Sequence, residues 1–206
     1  MPLELTHEDF LTPEQVRLVK SYCRERATRP VNDGRRNPIR DWAIIHVALD
    51  AGLRVSEICA LTVGDAILEP DNASLIVQHG KGDKRRGVRM GEDLRSHLSE
   101  YLARKEKLGE SVSAGAPLFV SSRLNRPLTR TAVYRIFKAI AQATGLPSRF
   151  SIHSCRHTYA SLLYRASDYN IRLVQKQLGH RSIQTTQIYA DVLSEDAVVA
   201  VNKLPQ

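Results

Sequence analysis

The densest run of apolar positions lies at Trp42, Ala43, Ile45, Val47, Ala48 and Leu49, set too closely for the narrow stripe of a surface helix. It predicts a largely buried helix from Ile39 that ends near Gly52, with a new helix beginning at Leu53-Arg54-Val55-Ser56-Glu57. Thinner stripes at helical spacing follow. Leu94, Leu98, Tyr101 and Leu102 mark an amphipathic helix over 93–107, and Val133, Ile136, Phe137 and Ile140 mark another over 129–144, stopped by Gly145 and Pro147. Upstream, Leu11-Thr12-Pro13-Glu14-Gln15 has the spacing of a capping box and opens a helix to about Arg26, ahead of an arginine-rich loop over 27–38. Only two segments, 74–78 and 86–90, read as strands, joined by the turn-rich 79–85 into a basic hairpin. A polar loop over 109–115 leads to a short extended segment at 117–120. The last third predicts helices from about His153 to Arg165 and Ile171 to Leu178, a short one capped by Ser182 that carries Tyr189, and a final one over 195–201. The fold class expected is α+β, mainly α-helical, with one small antiparallel hairpin in a single domain.

Composition adds a partner class. The 206 residues are 42% hydrophobic and 25% charged, which is ordinary for a globular protein and enough for one large core. Thirty Lys and Arg against 22 Asp and Glu give a net charge of +8, which favours an anionic partner, nucleic acid first. Charge alone fits a basic domain with no such partner equally well, so motifs must decide. Cys23, Cys59 and Cys155 are unevenly spaced without a CxxC, which argues against a disulfide framework or a thiolate zinc site and points to a reducing, cytoplasmic setting. The N-terminus lacks the pattern of a signal peptide, and the apolar stretch 42–53 is broken by His46 and Asp50, so no membrane span is expected.

The candidate chemistry centres on 151–189. His153 and Arg156, three residues apart on a helix, share a face and suit a phosphate: a guanidinium clamps its oxygens and an imidazole exchanges a proton with them. Arg54, near a helix start, completes a two-arginine clamp; the bland alternative is a surface arginine. Tyr189 can attack phosphorus as a covalent nucleophile, but a phenol of ordinary pKa about 10 needs a base or a strongly positive pocket, and His153 is the expected base. Lys81, at the hairpin tip, is the expected general acid for the leaving oxygen, and His180 a ligand to a phosphate oxygen. The hairpin glycines do not make a Walker A loop. Zinc at His153 and His157 is disfavoured: Ser154 stands where a His-Glu-x-x-His site has glutamate, and Arg156 would repel a dication. No metal and no other cofactor is expected.

Taken together, Ala51-Gly52-Leu53-Arg54-Val55-Ser56-Glu57, Gly80-Lys81-Gly82-Asp83-Lys84, His153-Ser154-Cys155-Arg156-His157, Leu178-Gly179-His180 and Thr185-Thr186-Gln187-Ile188-Tyr189-Ala190 resemble the catalytic domain of the tyrosine recombinases, the phage integrase and Xer-like family. The resemblance implies Arg54, Lys81, His153, Arg156, His180 and Tyr189 as catalytic residues, with Glu57 and His157 as accessory ones. Lys84, Arg85, Arg86, Arg130 and Arg149 form the expected DNA-binding set. It also implies site-specific cleavage and rejoining of double-stranded DNA through a 3′-phosphotyrosine with a free 5′-hydroxyl, without metal or nucleotide. The alternatives are a type IB topoisomerase-like nicking-closing enzyme and a non-catalytic DNA-binding accessory protein. Members act as tetramers on two duplexes. The chain is expected to be monomeric when free and nucleoid-associated, with a core over about 11–190 and a segment over 191–206 that docks on a neighbouring subunit. Typical members carry a further helical core-binding domain of about a hundred residues before this one. Only some ten residues precede the first predicted helix here, as in a minimal form or a fragment of a longer chain.

Overall fold

A computed structural model describes residues 6–28, 37–78, 85–121, 126–192 and 201. Lys81, Lys84 and the expected docking segment from 193 onward, Val201 apart, lie outside the described residues.

Helix α1 (Pro13–Thr28) starts where the capping box places it: the Thr12 amide donates to Gln15 Oε1 at 2.9 Å and the Gln15 amide to Thr12 Oγ1 at 3.2 Å. Helix α2 (Asn37–Asp50) is the buried centre, with every residue from Asp41 to Leu49 buried. Each fully buried aliphatic such as Ile44 or Ile45 contributes roughly 1.5–3 kcal/mol over its exposed state. Around α2 pack α1, α4 (Glu92–Lys107), α5 (Arg130–Ala143) and α6 (Ile152–Ala166). Their inward stripes supply Val19, Leu94, Leu98, Val133, Phe137, Ile140 and Ile152 to one core.

Strands β2 (Ser74–Val77) and β3 (Arg86–Arg89) form the expected antiparallel hairpin, with Leu75 opposite Val88 and Val77 opposite Arg86. A third strand, β1 (Ala66–Ile67), pairs with β2 on its other edge. At two residues it is too short to show an alternation, so only its pairing defines it. The extended segment 117–120 makes isolated bridges, Thr62 to Pro117 and Val120 to Pro127.

Helix α3 (Val55–Ala60) follows α2 after a sharp turn, and α7 (Ile171–Leu178) and α8 (Gln184–Val192) follow α6. Ser182, the expected cap of α8, stands two residues before its first turn, where its hydroxyl accepts from the Gln184 amide at 3.2 Å. A second, smaller cluster holds this end of the molecule: Phe10, Tyr159, Ala160, Val174, Leu178 and Tyr189. Among the described residues no helix is long and apolar enough to cross a membrane. Cys23 and Cys155 are buried free thiols, and burial pushes Cys23 up to about 12, so it is not a thiolate at neutral pH.

Two glycines permit the turns on which the site depends. Gly52 ends α2 at φ +59°, and a Cβ there would overlap Cδ1 of the Tyr159 ring. Gly179 ends α7 at φ +66°, where a Cβ would stand 2.5 Å from Nε of Arg86. Gly52→Ala is expected to cost about 2–5 kcal/mol, the left-handed backbone and the overpacked ring each contributing. Urea unfolding with the slope unchanged and the midpoint lowered is the check; an unchanged midpoint would mean that the turn relaxes freely.

Candidate active site

Arg156 lies on the buried side of α6, 5% exposed, between the ends of two other helices. Its Nη1 donates to Gly52 O at 2.6 Å, beyond α2, and its Nη2 to Leu178 O at 2.8 Å, the last residue of α7. Helix C-termini leave carbonyls unpaired and carry the negative end of the helix dipole, so both ends favour a cation. Burial first, and Arg54 next, lower its pKa to about 10, which leaves it charged at neutral pH. Among the described residues, Nε–H and one Nη1 proton have no hydrogen-bond acceptor.

Glu57 is the hub of the charges. It accepts from the Arg54 amide at 2.8 Å, Arg54 Nη1 at 2.8 Å, Arg86 Nη1 at 2.9 Å and Arg86 Nη2 at 3.0 Å, and lies 4.0 Å from Arg156 Nη1. Burial alone would raise its pKa, but the bonds from Arg86 and Arg54 outweigh it and hold the carboxyl at about 2. Thus the anion at the start of α3 is Glu57's own carboxylate. Three guanidiniums around one carboxylate leave an excess of positive charge. The Arg54 side chain, 34% exposed against 14% for Arg86 and 6% for Arg156, presents it to solvent.

His180 follows Gly179 and bridges Arg156 to α8. Its Nε2 is 3.1 Å from Arg156 Nη2 and its Nδ1 3.0 Å from Thr186 Oγ1. Because a guanidinium only donates, Nε2 accepts and the proton sits on Nδ1, donated to Thr186. Burial, then Arg156, lower its pKa from 6.5 to about 4, so it is neutral at physiological pH. Between those values the unfolded chain binds more protons than the folded one. Stability is therefore full above about pH 6.5 and falls as pH is lowered toward 4. His157, also lowered by burial, adds in the same direction. Urea midpoints from pH 7 to pH 4 are expected to fall less steeply in His180→Gln than in the wild type; parallel curves would show that His180 is not neutral in the fold.

Tyr189 is 2% exposed on α8. Its hydroxyl is 3.0 Å from Nδ1 of His157, one helical step past Arg156, and its ring meets Phe10 edge-on at 6.3 Å. Burial pushes the phenol up to about 12, against the pull of Arg156 and then Arg54.

The structure thus brings Arg54, Arg156, His180 and Tyr189 together with both expected accessory residues, Glu57 and His157. It treats two expectations differently. His153, the expected base, is exposed in the first turn of α6, and its imidazole makes no hydrogen bond among the described residues. In this first turn Ile152, Ser154 and Cys155 are buried, as Arg156 is, and His153 is the residue that the turn leaves at the surface. Arg86, expected on a DNA-facing edge, turns inward to Glu57. The signal was the alternation Arg86, Val88, Met90, which puts all three on the inner face of the hairpin, with Gly87 and Arg89 outside. Arg85, Arg130 and Arg149 are exposed; Arg149 also reaches Glu8 O at 3.1 Å. Gly52 O, Leu178 O and Thr186 have no signal in the sequence, because contacts to backbone carbonyls and a hydroxyl carry no motif.

The family model described as "Phage integrase family" matches residues 9–196. A protein described as tyrosine recombinase XerC, from Caldanaerobacter subterraneus, is 39% identical over 166 residues, 81% of this chain and 45% of that protein. The crystal structure of XerA recombinase superposes with a TM-score of 0.75 at 25% identity, covering 100% of this chain and 66% of that one. That of the XerH site-specific recombinase bound to difH substrate superposes at 0.73 and 26% identity, covering 92% and 52%. The chain spans about half the length of the curated relatives it matches. With the family model matching nearly its whole length, the chain belongs to the phage integrase family.

Proposed function

We infer that the chain cuts and rejoins double-stranded DNA at specific sites through a covalent bond between Tyr189 and phosphorus. The observation that carries this reading is three guanidiniums gathered on one carboxylate, beside a buried tyrosine whose hydroxyl already has an imidazole partner. A phosphodiester brings one negative charge to that excess, and Arg54, the most accessible of the three arginines, receives its non-bridging oxygens together with the Arg156 protons that have no acceptor among the described residues. In the transesterification the Tyr189 Oη–P bond forms and the P–O5′ bond breaks. The phenol proton passes to His157 Nδ1, the partner it has in the fold, with His153 supplying a second imidazole at the rim. The leaving 5′ oxygen takes a proton, for which Lys81 is the candidate by the family resemblance. His180, neutral, accepts from Arg156 and holds its guanidinium in place for the phosphate. No metal enters these steps. DNA bound by homologous recombinases in their complexes supports the partner class, and assembly of four copies on two duplexes completes strand exchange.

The test is a duplex nicked next to the cleavage point, so that the small leaving fragment diffuses away and the phosphotyrosine accumulates. A covalent adduct that depends on Tyr189, together with recombinant product from two sites, supports the reading. Relaxation of supercoiled plasmid without recombinants would favour a nicking-closing enzyme. Binding without an adduct would favour an accessory DNA-binding protein.

A further inference from the structure

Between α2 and α4 lies a group of side chains that has no part in the proposed cleavage. His46 is wholly buried, yet among the described residues its Nε2 has no aligned hydrogen-bond partner. That nitrogen sits between two carboxylates, 3.3 Å from Asp50 Oδ2, one turn along α2, and 3.3 Å from Asp93 Oδ2 in the first turn of α4. The three ligand atoms lie within 4.8 Å of one another.

We propose that His46, Asp50 and Asp93 bind a divalent transition-metal ion, zinc first, which ties α2 to α4. Four observations carry this. The first is spacing: zinc bonds of about 2.0–2.2 Å to nitrogen and oxygen in a tetrahedron hold neighbouring ligand atoms about 3.3–3.5 Å apart, the separation of Nε2 from each carboxylate. The second is the ligand set, an imidazole with two carboxylates on one spot, which leaves a fourth position for water.

The third is the shell behind the imidazole. His46 Nδ1 is 2.7 Å from His97 Nδ1, a distance at which one of the two must carry the proton. With the ion on Nε2, Nδ1–H donates to His97, the partner a metal-bound histidine ordinarily has. Trp42 stacks on both rings, at 4.6 Å from His46 and 4.7 Å from His97, and fixes their planes. The fourth is access: an open cleft of about 350 Å³ between α1, α2 and α4 is lined by Trp42, His46, Asp93 and His97.

Cations oppose the ion. Lys20 Nζ donates to Asp50 Oδ2 at 2.7 Å and would repel a dication there, and Arg24 and Arg104 line the same cleft. The competing account of the same geometry is a protonated His46 shared by the two carboxylates, an ion network with no metal.

Trp42 is the sole tryptophan, so its fluorescence reports on this place. The full chain, stripped with chelator, is titrated with zinc chloride and, separately, cobalt(II). One equivalent of zinc is expected to change Trp42 emission, and cobalt to quench it with tetrahedral visible bands. Asp93→Asn is chosen because the Asp93 side chain is 66% exposed and its loss leaves the core intact; it is expected to remove both signals without lowering the metal-free melting temperature. His97→Ala is expected to weaken binding about 10- to 100-fold, and Lys20→Met to tighten it about tenfold or more. No saturation below about millimolar metal would overturn the proposal in favour of the protonated network. Stoichiometric zinc binding that Asp93→Asn leaves unchanged, or that Lys20→Met weakens, would place the ion elsewhere and overturn it equally.

Discussion

Tyr189→Phe is expected to bind DNA as the wild type does and to form no covalent adduct on a nicked duplex at any incubation time. The change removes one oxygen from a ring that is 2% exposed and packed on Phe10. The lost hydrogen bond to His157 is worth about 1 kcal/mol, so the protein stays folded. What disappears is the atom that would bond to phosphorus, and no positive charge in the site can replace it. Denaturing gels of labelled DNA, with melting temperature as the folding control, separate the two effects. An adduct of wild-type yield in the variant would move the nucleophile to another residue. Burial has a second consequence: with the phenol at about 12, little tyrosinate exists at neutral pH, so attack depends on proton transfer within the site. His157→Ala is therefore expected to slow adduct formation while leaving binding intact.

The second large effect is expected from Glu57→Gln. The carboxylate accepts four hydrogen bonds from Arg54 and Arg86 and stands 4.0 Å from Arg156. An amide of the same shape keeps one acceptor oxygen, turns an NH2 toward donors, and leaves three guanidiniums without their counter-charge. Removing one partner of a buried pair typically costs about 3–5 kcal/mol. The pH dependence has the sign of a lowered carboxyl. Glu57 stabilises the fold fully above its unfolded value of 4.5, and this contribution is lost as pH falls toward about 2. In Glu57→Gln, the acid loss of stability in that window should shrink and the neutral-pH midpoint should drop. Added sulfate should recover more of the melting temperature in the variant than in the wild type, since an anion can replace the missing charge. A variant as stable as the wild type at pH 7 would mean that the three arginines do not depend on Glu57.

Much of this molecule is legible in its sequence because the interactions that set its elements are local. The Thr12–Gln15 box, the αL glycine after α7 and the apolar stripes of α4 and α5 each act within a few residues, and each element lies where those signals place it. The family motifs are equally local strings, and the residues named from them include Arg54, Glu57, Arg156, His180 and Tyr189, which the fold brings into one cluster. Two-residue β1 carried no periodicity to read.

What the sequence could not settle was the direction in which a charged side chain turns and which partner it meets. Position in the chain alone puts Arg86 on a basic hairpin edge and His153 beside Arg156. The fold commits Arg86 to a carboxylate 29 residues upstream and leaves His153 at the surface. Tyr189 meets His157 across 32 residues, and Arg156 is held by a carbonyl 104 residues away. Near His46, two carboxylates converge from separate helices on one nitrogen. The sequence by itself determined the helices, the hairpin and the set of chemical groups, because propensity, capping and periodicity operate over three or four residues. Only the tertiary structure decided how those groups pair. Buried charge and hydrogen bonding are settled by which surfaces the core brings together, at separations that no local pattern encodes.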